Sequence, residues 1–115
     1  MEKNFFALPC CIYFVKESPL NNFGFQLYSI GWGNGYVGVS QGHPWYQQED
    51  PETETYVPGG WTFAQFQFYK RRRYWVLGFD TAHFGMNEFN YPETVVRQIT
   101  QELWLESMRI LNKKI

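Results

Sequence analysis

The sequence predicts an α+β domain: an antiparallel, aromatic-rich β-sheet body over about residues 10–83, with one amphipathic C-terminal α-helix packed on it over about residues 92–112. Three observations carry this prediction. Short runs of β-branched and aromatic residues alternate with turn residues through the first two thirds of the chain. The last segment has apolar residues at helical spacing and charges that suit a helix dipole. Finally, 11 Phe, 8 Tyr and 5 Trp make up 21% of 115 residues, enough large apolar area to stabilise one small core and to leave some rings for a pocket or contact surface.

The elements follow in order. Cys11–Val15 reads as a first strand, rich in β-formers. Its two cysteines, Cys10 and Cys11, are adjacent and point to opposite sides of an extended chain, so they are expected as free thiols with no site role. Phe25–Ile30 and Tyr36–Ser40 read as two more strands by alternation, joined by a tight turn or bulge at Gly31-Trp32-Gly33-Asn34-Gly35. Gln41–Gly60 reads as a long surface loop with an acidic, solvated middle (Glu49, Asp50, Glu52, Glu54). Trp61–Tyr69 and Tyr74–Phe79 form a second hairpin, with Lys70-Arg71-Arg72-Arg73 at or near its turn.

Pro92, Glu93 and the late cations Arg109, Lys113 and Lys114 bound the helix. Val96, Ile99, Leu103 and Ile110 share the stripe that faces the sheet. Trp104, Leu105 and Met108 fall on other sides and predict a homo-oligomer or partner surface.

Composition narrows the function. A net charge of -1 gives no global field for phosphate-backbone binding, so general nucleic-acid binding is not expected. No apolar run, Ile12–Val15 and Tyr74–Leu77 included, is long enough to span a membrane, and Met1–Leu8 has no signal-peptide core, so a cytoplasmic location is expected. No P-loop, dinucleotide fingerprint or nucleophile elbow is present, and no cofactor is expected.

Two constellations remain. Asp80 and His83 follow an apolar strand, and with His43 they would make a general acid-base or two-histidine, one-carboxylate metal centre if the fold joined them. Gly59-Gly60-Trp61-Thr62 offers exposed backbone N–H groups, a hydroxyl and a stacking ring. Such a place suits a flat, nucleotide-like ligand, with Arg72 in the basic run as a phosphate partner.

The ordered motifs Gly35-Tyr36-Val37-Gly38-Val39, Gly42-His43-Pro44-Trp45-Tyr46, Val57-Pro58-Gly59-Gly60-Trp61-Thr62-Phe63 and Tyr74-Trp75-Val76-Leu77-Gly78-Phe79-Asp80-Thr81-Ala82-His83, followed by a helix, resemble a widespread family of small uncharacterised bacteriophage and prophage proteins. The resemblance covers about residues 35–112. It departs at Pro58, where the family usually has His, and at Met86-Asn87, where it often has a further Asp, and both departures remove polar groups from a metal or catalytic site. The resemblance implies a phage setting. The expectation is therefore a non-enzymatic counter-defence inhibitor that sequesters a nucleotide-like ligand or blocks a host defence protein. The ligand-binding set would be Gly59, Gly60, Trp61, Thr62, His43, Asp80, His83 and Arg72. The alternatives are a small hydrolase using His43, Asp80 and His83, and a self-assembling accessory protein.

Overall fold

The structure, a computed structural model, describes residues 9–19 and 30–114. Among these residues four strands, β1 (Cys11–Glu17), β2 (Gly33–Val39), β3 (Phe63–Tyr69) and β4 (Arg72–Phe79), form one antiparallel sheet in the order β1-β2-β4-β3, followed by a single helix, α1 (Glu93–Lys114). The α+β architecture predicted from periodicity is the one observed. Among the described residues no helix is long and apolar enough to cross a membrane.

The register sorts the side chains. Cys11, Val37, Val39, Trp75, Leu77 and Phe79 share the sheet face on which α1 lies, and they close a core with Val96 and Leu103 of the helix and Trp45 and Val57 of the long loop. The second hairpin is tight: Tyr69 pairs with Arg72, leaving Lys70 and Arg71 as a two-residue loop. Both have positive φ, 50° and 72°, which is the twist that suits a hairpin.

Two expectations are corrected, and a third falls outside the described residues. The glycines of Gly31–Gly35 do not make a turn: Gly33, Asn34 and Gly35 lie inside β2, opposite Glu17, Lys16 and Val15. They are small because neighbours crowd them. A Cβ on Gly33 would meet the Lys16 carbonyl, and one on Gly35 would meet Thr100 of the helix and the Phe79 ring. The Phe25–Ile30 strand lies outside the described residues except for Ile30, which is buried but not in a strand. Trp104 does not join an exposed stripe. Its Nε1–H donates to the Cys11 carbonyl (2.9 Å) and its ring meets Tyr13 (5.0 Å between centroids), leaving only Leu105 and Met108 exposed.

The 41–60 loop is also less free than its composition suggests. The acidic side chains of Glu49, Asp50, Glu52 and Glu54 are exposed, as expected, but the backbone is strapped down. Trp75 Nε1 donates to the Gln48 carbonyl (2.7 Å) and Trp61 Nε1 to that of Pro51 (3.2 Å). The buried Glu106 carboxylate accepts the N–H groups of Glu54 (2.6 Å) and Thr55 (2.8 Å). Two indoles and one carboxylate thus satisfy loop groups that water would otherwise solvate.

Both cysteines are free thiols, Cys10 exposed and Cys11 buried, and burial pushes the Cys11 thiol above its ordinary range. A thiolate at Cys11 is therefore disfavoured, and the same burial keeps reagents away from the sulfur. Iodoacetamide at mildly alkaline pH should alkylate Cys10 in the folded protein and reach Cys11 only in denaturant. Equal labelling of the two in the native state would contradict this packing.

Candidate functional site

The site is built where β4 ends and β3 begins. Gly60 N donates to the Val57 carbonyl (2.9 Å), with Pro58 and Gly59 (φ 71°) at the centre, the arrangement of a type II turn. Met86 N donates to the His83 carbonyl (3.0 Å) around Phe84 and Gly85 (φ 88°), a second turn of the same kind. The two turns lie against each other. The His83 ring occupies the space a side chain would take at Gly59, so that position requires glycine for its φ and for its neighbour alike.

Asp80 ties them together. Its Oδ2 accepts from the Thr62 hydroxyl (2.9 Å) and its Oδ1 from Ala82 N (3.0 Å), so one carboxylate caps the end of β4 and holds the start of β3. His83 Nε2 lies 3.2 Å from Asp80 Oδ1, but off the line a hydrogen bond needs, so this buried nitrogen has an electrostatic neighbour and no hydrogen-bond partner among the described residues.

Of the residues predicted for the site, Gly59, Thr62, Asp80 and His83 are thus brought together, with Gly60 in the same turn. The others have different roles. His43 is buried beside α1: its Nε2 donates to the Ser107 carbonyl (2.8 Å), which fixes the neutral tautomer, and its Nδ1 accepts from Trp45 N (2.9 Å). Both ring nitrogens are spent inside the fold. Among the described residues no three His, Cys, Asp or Glu side chains are grouped as metal ligands would be, so the proposed centre of His43, Asp80 and His83 is not assembled. Arg72 opens β4 whereas Asp80 follows its end, a separation of roughly 26 Å at about 3.3 Å per strand residue. It cannot serve as the phosphate partner of a ligand at Gly59-Gly60.

Trp61 is half-buried, edge-on to Trp45 (6.1 Å), and holds the loop through Pro51, so its indole is committed to structure. A cavity of about 300 Å³ lies elsewhere, between Glu52–Glu54 and the Arg109–Lys113 end of α1.

What composition did not reveal is the segment that follows His83. Thr81 anchors one end of it, donating from Oγ1 to the Gly33 carbonyl (2.7 Å) while its own carbonyl accepts from Gly31 N (2.7 Å). Trp32 N clamps the other end by donating to the Tyr91 carbonyl (2.8 Å). Across the middle, Asn87 Oδ1 accepts from Phe89 N (2.8 Å) and Asn90 N (3.0 Å), Asn90 Oδ1 accepts from Asn87 N (2.8 Å), and Asn90 Nδ2 donates to the Gly85 carbonyl (3.0 Å).

This brace holds two phenylalanines in water. Phe84 and Phe89 are 107% and 97% exposed, each at the crest of a turn. The readable signal was the pair Asn87 and Asn90 flanking Phe89, two side chains that favour local backbone hydrogen bonds and so mark a fixed turn.

Comparison with known protein families, with curated proteins and with solved structures finds no match to this chain.

Proposed function

We propose that this protein is a non-enzymatic binding module whose 82–91 loop docks into an apolar pocket of a partner protein. One observation carries the reading: Phe84 and Phe89 stand fully in water on a backbone fixed at both ends and cross-braced by Asn87 and Asn90. Leaving a phenyl ring out of any core forgoes about 1.5–3 kcal/mol of burial. A braced loop regains that energy on docking without first having to be ordered.

Charge points to the kind of partner. No Lys or Arg occurs between Tyr74 and Val96, whereas Asp80, Glu88 and Glu93 do, so the loop surroundings repel phosphate polymers and anionic bilayers. A pocket with a basic rim is complementary. In the phage setting that the motif resemblance implies, this favours the blocking of a host protein over the capture of a nucleotide.

The hydrolase alternative has less support. Both ring nitrogens of His43 are engaged inside the fold, by the Ser107 carbonyl and Trp45 N, so acid-base work would fall to Asp80 and His83 alone, and Asp80 already accepts from Thr62 and Ala82.

The test compares the unmodified chain with Phe84→Asp/Phe89→Asp, each tagged, in cells of its source. Both rings are solvent-exposed, so the variant should match the parent in circular dichroism and in Tm. Native mass spectrometry should show one stoichiometric protein complex for the parent and none for the variant. Identical complexes for the two chains would refute the proposal.

A further inference from the structure

We infer that the tip of the β3–β4 hairpin is a second binding site, separate from the 82–91 loop, and that it takes single-stranded nucleic acid. The loop residues themselves give the first reason. Lys70 and Arg71 hold φ values of 50° and 72°, a region in which Asn and Gly are at ease and long side chains are not. Two cations therefore occupy the positions where the backbone would favour Asn-Gly, and conformations of this cost concentrate where a protein uses them.

The second reason is what flanks them. Phe68, 73% exposed, sits opposite Arg73, whose guanidinium lies 4.2 Å from the Phe66 ring centroid. On the other face Tyr69, 46% exposed, sits opposite Arg72 and has Lys70 Nζ 5.4 Å from its centroid. Among the described residues no carboxylate pairs with Lys70, Arg71 or Arg73. Each face of the tip thus offers an open ring beside a cation.

That pairing selects the ligand. Bases stack on rings while phosphates meet the cations, and open rings need bases that are not already stacked in a duplex. A bilayer fits less well, because the charged Lys70-Arg71 pair leads and the rings lie behind it, so the rings could enter only after the charges. With a net charge of -1 on the whole chain, the contact is confined to the tip and is strongly salt-dependent.

Fluorescence anisotropy with a fluorescein-labelled oligothymidine of about a dozen nucleotides, at low salt, tests this directly. Binding should weaken with salt at a log–log slope of about -2, as expected for about three phosphate contacts, by Lys70, Arg71 and Arg73, on a single strand. Lys70→Asn/Arg71→Gly installs the preferred turn, so it should raise Tm and yet lower affinity at least fivefold. Phe68→Ala/Tyr69→Ala should lower affinity about fivefold or more by removing stacking. The inference is overturned by absence of binding at low salt, by binding that neither variant weakens, by equal tip-dependent binding of a duplex, or by tip-dependent binding to phosphatidylserine vesicles without binding to the oligonucleotide.

Discussion

Glu106→Ala is expected to cost the fold about 2–4 kcal/mol, because it removes a buried carboxylate that accepts two charge-assisted hydrogen bonds and leaves their donors unpaired. For a domain of this size that is a fall in Tm of roughly 10 °C. Glu106 is only 3% exposed, and its two oxygens receive the N–H groups of Glu54 and Thr55 from the loop that crosses the helix. Glu106→Gln should cost about half as much, since an amide has one accepting oxygen and its N–H₂ opposes the second donor. Glu52→Gln, at an exposed position, should change little. Thermal denaturation ranks the three variants, and hydrogen exchange at the amides of Glu54 and Thr55 should accelerate most in Glu106→Ala. Tm values for Glu106→Ala and Glu52→Gln within a degree or two of each other would mean that the strap does not stabilise the fold.

Glu106 also shows where the sequence is legible and where it is not. The strands, the hairpin and the helix follow from periodicity because each buries one face, and burial leaves a period in the sequence. Thr100, Glu106 and Ser107 break the expected apolar stripe of the helix, yet all three are buried. Their polar groups are satisfied by partners near and far: Thr100 Oγ1 donates to the Val96 carbonyl, Ser107 Oγ to that of Trp104, and Glu106 receives the distant loop. A pattern of hydrophobicity carries no record of such partners. A charged residue between Leu103 and Ile110, on the core side, was nonetheless a visible exception that called for a buried partner.

The Gly31–Gly35 segment fails for a related reason. Glycine marks both turns and close approaches, and only the positions of Lys16, Thr100 and Phe79 decide between them. At the candidate site, the meeting of Asp80 with Thr62 and of His83 with Gly59 follows from the pairing of Phe63 with Gly78 in the hairpin. His43 was misplaced because its motif gives its neighbours in sequence and not its position beside α1.

The second large effect concerns the 82–91 loop. Phe84→Ala with Phe89→Ala should leave unfolding free energy within about 0.5 kcal/mol of the parent, as expected for exposed side chains. The same pair should weaken partner association by about 2–4 kcal/mol, the loss typical of apolar anchors in a desolvated pocket. Asn87→Ala keeps both rings but removes the acceptor for Phe89 N and Asn90 N, so it should weaken association by only about 1–2 kcal/mol, through the ordering that the loop must then undergo on binding. Isothermal titration with the purified partner separates the two effects. A double alanine variant that binds like the parent would exclude the rings from the interface, and an Asn87→Ala variant with unchanged affinity would mean that the brace does not contribute.

The central claim, that this loop is a protein-docking element, is tested most directly by a photo-crosslinking amino acid placed singly at Phe84, Phe89, Tyr56 or Leu105, all exposed positions, in cells of the source organism. Positions 84 and 89 should yield one discrete adduct that Asn87→Ala weakens and that excess unlabelled parent, but not Phe84→Asp/Phe89→Asp, competes away. Adducts equally abundant from Tyr56 and Leu105, or none from positions 84 and 89, would contradict it.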